Sequence, residues 1–212
     1  MKHLIALAQR EPFSEITIAR LGRELGVVPS LIHYFLGSRD DMMSLVLNHA
    51  LKELAELSPP LSGVWRADAE AHLRQAYETL LKWRGITSYM AEQNKYRIFQ
   101  NVSPGEVDFG LVFYDRMGRI FQTGGFTSED SARAYHLLMH FLTSITRADV
   151  LKLEPAAQRE TLRTHVEQFP VSDYPGARFM IEAFTNLDSK HTFESGLTLL
   201  LDGFERWRAQ SI

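Results

Sequence analysis

Two sets of side chains in this chain have the types and spacing to do chemistry. His136 and His140 stand four apart in His136-Leu-Leu-Met-His140, which on a helix puts two imidazoles on one face, as a metal pair requires. No glutamate lies between them, so the HExxH arrangement of a metalloprotease is not there, and Glu129, Asp130 or Asp149 would have to fold beside them to complete a site. The second set is Thr17, Arg20, Ser30, His33, Tyr34, Ser38 and Arg39, which gathers hydroxyls, an imidazole and guanidinium groups within residues 17–39. Groups of this kind bond to phosphate oxygens or to base edges of DNA. A serine nucleophile elbow, a phosphate-binding loop and a dinucleotide fingerprint do not occur in the sequence.

The elements that position the second set are two short helices. Thr17 is suited to cap one, because its hydroxyl reaches the free amides of the next turn, and Ile18, Leu21 and Leu25 then share a face. Gly26 ends that helix. Pro29 opens the next, where its missing amide proton costs nothing, with Leu31, Ile32 and Leu36 expected inward and Gly37 as the stop. Two short helices joined by a tight glycine turn are how a helix-turn-helix is written, with Val28, Pro29, Ser30, His33 and Tyr34 at the exposed start of the reading helix. The same turn occurs in helical proteins that bind no DNA. Ser38 and Asp41 form a capping-box pattern that opens a longer helix to about Leu57.

Ser58-Pro-Pro-Leu-Ser-Gly63 is the clearest break, and it separates an expected N-terminal domain, residues 1–50, from a C-terminal one, residues 51–212. Beyond it, helical patterns run over residues 65–84, 106–117, 128–150, 155–168 and 192–207. Glycine and proline punctuate them at Gly85, Ser103-Pro-Gly105, Gly124-Gly125, Phe169-Pro170 and Tyr174-Pro-Gly176. The expected class is all-α, with nine or ten helices. The 212 residues contain no cysteine, which excludes a disulfide framework and thiolate metal sites. No apolar run is long enough to span a bilayer, and a cytoplasmic protein is expected. The net charge of −3 does not advertise a polyanion partner. Up to Asn48 the cations Lys2, Arg10, Arg20, Arg23 and Arg39 are matched by Glu11, Glu15, Glu24, Asp40 and Asp41, so this first domain is neutral.

Residues 27–41, Val-Val-Pro-Ser-Leu-Ile-His-Tyr-Phe-Leu-Gly-Ser-Arg-Asp-Asp, with Thr17 before them, resemble the DNA-binding segment of tetracycline-repressor-type (TetR/AcrR) regulators. Phe193-Glu-Ser-Gly-Leu-Thr-Leu-Leu-Leu-Asp-Gly-Phe-Glu205 is similar to the closing helix of one branch of that family, and Gly124-Gly-Phe-Thr-Ser-Glu-Asp-Ser-Ala132 to the entry into its eighth helix. The resemblance spans residues 4–207. It implies a ligand-responsive repressor, with no enzyme activity and no cofactor. The implied partners are double-stranded operator DNA, a hydrophobic or aromatic small-molecule effector and a second copy of the chain; no membrane is involved. The DNA contacts implied are Thr17, Arg20, Val28, Pro29, Ser30, His33, Tyr34, Ser38 and Arg39. His33 and Arg39 stand where the family usually has tyrosine and lysine. Val28 replaces a usual serine or threonine, and Phe35 and Leu36 replace a usual histidine and phenylalanine. The basic arm that many members carry ahead of the first helix is missing, which implies modest DNA affinity or a start upstream of Met1.

The family pairs its subunits through the eighth and last helices. The resemblance therefore implies Tyr135, Met139, Gly196, Leu197, Leu200, Gly203 and Phe204 as dimer contacts, with Gly196 and Gly203 allowing a close backbone approach. The other reading of the last helix is a helix buried within one subunit. Aromatic and methionine side chains concentrate at Tyr77, Trp83, Tyr89, Met90, Tyr96, Phe99, Phe109, Phe113 and Met117. They make either an ordinary core or an apolar effector cavity with His136 at its wall. Two readings from other classes stand against the regulator: a helical metal-dependent enzyme using His136 and His140, and a structural helical adaptor, which would leave residues 17–39 without a purpose.

Overall fold

The computed structural model describes residues 2–93 and 99–210, and among these there are eleven α-helices and no strand. Helices α1 (Lys2–Arg10), α2 (Ile18–Leu25) and α3 (Pro29–Leu36) form the N-terminal unit, and α4 (Arg39–Leu57) runs out of it. Then follow α5 (Trp65–Lys82), α6 (Arg84–Gln93), α7 (Phe109–Thr123), α8 (Ser128–Val150), α9 (Arg159–Glu167), α10 (Pro175–Phe184) and α11 (Ser189–Gln210). Short 3-10 turns lie at Phe13–Glu15 and Pro155–Gln158.

The local signals act as expected. Thr17 Oγ1 accepts from the Arg20 amide at 3.1 Å, and Gly26 ends α2 in the left-handed conformation at φ 68°. Ser38 and Asp41 close a reciprocal box, Oγ accepting from Asp41 N at 3.2 Å and Oδ2 accepting from Ser38 N at 2.8 Å. Signals that depend on distant neighbours misled. Leu25 and Leu31 are exposed rather than inward, while α2 meets the turn into α3 closely at Gly22, where a Cβ would lie 2.8 Å from the Val27 carbonyl. Ile32 alone is fully inside from α3. Gly85 does not end a helix but sits in α6 against α1, where a Cβ would stand 2.6 Å from the Ala8 carbonyl. The pattern over 65–84 divides at Trp83 instead. Helix α10 starts at Pro175, a position that favours proline, so what reads as punctuation is a helix start. Asp108 moves the start of α7 to Phe109 by accepting from the amides of Gly110 and Leu111 at 2.8 and 3.1 Å.

Two apolar clusters hold the molecule. The first gathers Leu4, Phe13, Ile16, Leu21 and Ile32 with Trp83, at the junction of α5 and α6, and Ile86 and Tyr89 of α6, so residues 1–50 do not close their own core. The second joins α5, α7, α8 and α11, with Tyr77 stacked on Phe193 at 4.2 Å. Helix α4 belongs to both: Met42, Met43, Val46, Leu47 and Ala50 face the first, Leu54 the second, and Leu51 touches each. Helix α4 thereby shares one apolar core with α2 and α3. Since Gly85 is where α6 meets α1, Gly85→Ala is expected to lower unfolding free energy in denaturant by roughly 1–3 kcal/mol; an unchanged midpoint would contradict this packing.

Candidate functional site: a reading face and an apolar cavity

Helices α2 and α3 leave one continuous surface open. Val28, Pro29, Ser30, Leu31, His33, Tyr34 and Phe35 are all exposed along it, Tyr34 by 81% and Phe35 by 70%, with the two rings edge to face at 5.2 Å. Val28 makes no side-chain cap bond, as its missing hydroxyl requires. His33 Nδ1 lies 2.7 Å from the Gly37 carbonyl, which only accepts, so Nδ1 carries the proton and Nε2 points away from that bond. Thr17 uses its lone pair as a cap and keeps its hydroxyl proton for an outside acceptor.

The two arginines expected at phosphate are held elsewhere. Arg20 grips Glu11 through both Nη atoms, at 2.6 and 2.9 Å, and Glu24 through Nε at 2.7 Å. These bonds raise the Arg20 pKa and hold Glu11 and Glu24 below the usual carboxylate range. Arg39 donates to the Phe13 carbonyl at 2.8 Å and lies over the rings of Phe13 and Tyr89 at 5.6 and 5.9 Å. Ser38 Oγ, in turn, gives its proton to Asp41 at 2.7 Å. Arg20, Ser38 and Arg39 thus hold the reader together. The exposed surface is chiefly apolar and hydroxylic, chemistry suited to thymine methyls and single hydrogen bonds.

A cavity of about 70 Å³ lies between α4, α5, α7 and α8. Leu47, Ala50, Leu51 and Leu54 of α4 form one wall; Ala76, Thr79, Leu80, Gly110, Phe113, Tyr135, Met139, Leu142 and Thr143 form the rest. Of the described residues in the aromatic set, only Phe113 lines it. Tyr77 faces Phe193 in the core, where burial pushes its phenol up to about 12. Trp83 and Tyr89 complete the N-terminal cluster, and Met117 is buried in the C-terminal one. Phe99 is exposed against Tyr114, and Phe109 lies at the first turn of α7 outside the cavity. Tyr96 and the Met90 side chain lie outside the described residues. The α4 wall and Thr79 are contributions that sequence reading missed, since they are small or aliphatic residues with no signal of their own.

The chain entering α7 is strapped to α4. Asn48 Oδ1 accepts from the Phe109 amide at 2.8 Å while its Nδ2 donates to the Val107 carbonyl at 3.0 Å. Ser44 Oγ accepts from the Asn101 amide at 2.7 Å, and Asn101 Nδ2 donates to Asp41 Oδ1 at 2.6 Å. Bonds from the Ser38 hydroxyl, the Ser38 amide and Asn101 keep the Asp41 carboxyl below its usual range. One carboxylate thereby caps α4 and anchors the approach to α7.

His136 and His140 are exposed on α8 with Nε2 atoms 3.1 Å apart. Among the described residues no group of three or more His, Cys, Asp or Glu is placed to hold a metal. Of the expected dimer contacts, Tyr135, Met139, Leu197 and Phe204 turn inward and are buried within the subunit. Gly196 is approached by Phe141 of its own chain, which a Cβ would strike. Leu200 is half-buried, and Gly203 has no atom within 4 Å of a built Cβ. The outward face of α8 and α11 instead carries Leu137 and, at 72% exposure, Leu199. No helix among the described residues is long and apolar enough to cross a membrane.

A family profile described as tetracyclin repressor-like, C-terminal domain, matches residues 59–208. No curated protein sequence matches the chain significantly. The chain is similar in fold to apo ActR from Streptomyces coelicolor, with a TM-score of 0.79, 21% identity, and 100% of this chain and 97% of that one covered. ActR of the same organism in complex with actinorhodin gives 0.77 at 21% identity, covering 98% and 95%. A possible TetR family transcriptional regulator from Streptomyces coelicolor A3(2) gives 0.77 at 21%, covering 97% and 98%.

With Arg20 and Arg39 engaged, few cations remain to displace counterions. At about 0.9 log unit per neutralised phosphate, the log–log salt slope of DNA binding by a pair of chains is expected to be shallower than about −8. A steeper slope in a fluorescence anisotropy titration would contradict the neutral reading face.

Proposed function

The chain belongs to the tetracycline-repressor-like (TetR) family of transcriptional regulators, and on that premise we propose that it is a homodimeric repressor, released from DNA by a small apolar effector. Helix α3 enters the major groove of a palindromic operator. Val28, Pro29 and Ser30 meet base edges, and Thr17, His33 and Tyr34 contact phosphates. The effector enters the cavity between α4, α5, α7 and α8, the same class of event as actinorhodin binding by the similarly folded ActR.

The observation that carries this reading is the double membership of α4. Its Leu47, Ala50 and Leu51 belong to the core under the reading helices and also form the cavity wall. Pockets for drug-sized ligands measure about 300–1,000 Å³, so a cavity of about 70 Å³ admits one only by moving a wall. Since α4 shares its core with α2 and α3, that movement tilts the reader. The Asn48, Ser44 and Asn101 bonds carry the displacement of α7 to the same end of α4.

Pairing supplies the geometry that makes such a tilt matter. Two readers about 34 Å apart meet successive turns of the groove, and a change in either orientation loses the register. The outward face of α8 and α11, with Leu137, Leu199 and the open Gly203, is the surface for a four-helix contact with a second copy. Repression as the sign of regulation follows the family resemblance.

Selection from a randomised duplex pool tests the function: the full chain is expected to recover a two-fold symmetric sequence. Gly203→Leu, at a position where a Cβ would meet no neighbouring element of its own subunit, should leave the fold intact, give monomers by light scattering and lose that binding. Recovery of no symmetric sequence, or a stable Gly203→Leu dimer, would contradict the proposal.

A further inference from the structure

The cavity wall has one polar irregularity. In α8 and α11, Thr143, Thr146 and Thr198 each donate their hydroxyl to the carbonyl four residues back, at 2.7, 2.8 and 3.0 Å. Thr79 of α5 lines the cavity and does not do so; its Oγ1 is buried and has no hydrogen-bond partner. A buried hydroxyl left unpaired costs stability, so its retention on a mostly apolar surface calls for a partner that arrives from outside. Thr143, the other threonine of the wall, has already given its proton to Met139 and retains only lone pairs. None of the residues lining the cavity is charged.

Resting on the effector reading above, we propose that the ligand of this cavity is an uncharged, largely hydrocarbon molecule carrying one hydroxyl or carbonyl oxygen, seated on the Thr79 hydroxyl. The hydrocarbon part replaces the contacts of Leu51, Leu54, Leu80, Phe113 and Leu142. The oxygen accepts the Thr79 proton, and where it is a hydroxyl its own proton has the lone pairs of Thr143 within the same wall. A carboxylate or ammonium group is rejected, because it would lose its water and find no opposite charge among the lining residues.

A histidine packed behind the wall reinforces this selectivity. His72 lies one turn before Ala76 on α5, its ring against Phe113 at 4.9 Å. Ser58 Oγ gives its only proton to the Leu54 carbonyl at 2.7 Å, so His72 Nδ1 must donate to Ser58 at 3.1 Å. Nε2 is left as a bare acceptor. Burial, with the nearby Arg116 as the smaller cause, lowers the His72 pKa to about 3, and the ring offers no positive charge to an acid.

Calorimetry on the full chain with 2-naphthol, 2-methylnaphthalene and 2-naphthoate tests the proposal. Wild type is expected to bind 2-naphthol about fivefold more tightly than 2-methylnaphthalene, the worth of one hydrogen bond, and 2-naphthoate far more weakly than either. Thr79→Val keeps the shape, is expected to keep or raise the melting temperature, and should bring the two neutral probes to equal affinity. Equal or tighter binding of 2-naphthoate, or a 2-naphthol preference that survives in Thr79→Val, overturns the proposal while leaving the cavity reading intact. Ala76→Phe, which fills the cavity, should abolish binding of all three. Binding that survives Ala76→Phe, or no binding of any probe to wild type, overturns the cavity reading and the proposal with it.

Discussion

Everything in this molecule depends on α4 being buried twice. One side of the helix completes the core beneath the reading helices, and the other forms a wall of the cavity, with Leu51 touching both clusters. A helix used in this way cannot be moved for one purpose alone. On the reader side Met42, Met43 and Val46 are wholly enclosed. The remaining features serve this constraint. Gly85 lets α6 lie close enough to α1 to complete the reader core, and the Asn48 and Asn101 bonds tie the start of α7 to the same helix.

Short-range information in the sequence was legible because short-range physics decides it. Thr17, Gly26, Ser38 and Asp41 fix helix ends through bonds spanning a few residues, and the resemblance rests on the same stretch. The long Ser128–Val150 helix also stands where its pattern places it. What was not legible depends on contacts between residues far apart. The sequence offers Arg20 and Arg39 as free cations; Glu11, Glu24, Phe13 and Tyr89 take them. Tyr77, Trp83, Tyr89 and Met117 are as apolar in a core as in a cavity, and only the packing sends them to the core. Beyond Phe113, the cavity is walled mostly by leucines, alanines and two threonines, whose spacing carries no signature. Gly196 and Gly203 look alike in sequence, yet one is contacted by Phe141 and the other is open.

The use of cations inside the reader has a physical consequence for recognition. A guanidinium shared between Glu11 and Glu24 stiffens the approach of α1 to α2 at the expense of a phosphate contact. Arg39, laid over two rings, does the same for the start of α4. The reading face is left with an apolar and hydroxylic surface ending in Tyr34 and Phe35. Such a face gains little from long-range attraction and depends on shape, so small changes of orientation weigh heavily in its affinity. A reader of this kind suits control by a tilting helix.

The coupling of cavity to reader is tested most directly by a distance. The chain has no cysteine, so a spin label at Ala19→Cys, exposed on α2, reports the spacing of the two readers in a dimer without competing sites. Pulsed electron–electron resonance should show that spacing change by at least about 2 Å when Ala76→Phe fills the cavity, a shift of the size that helix movements produce. The dimer itself should persist. An unchanged distance in a folded Ala76→Phe dimer would contradict the account, because it would mean that the cavity wall and the reader do not move together.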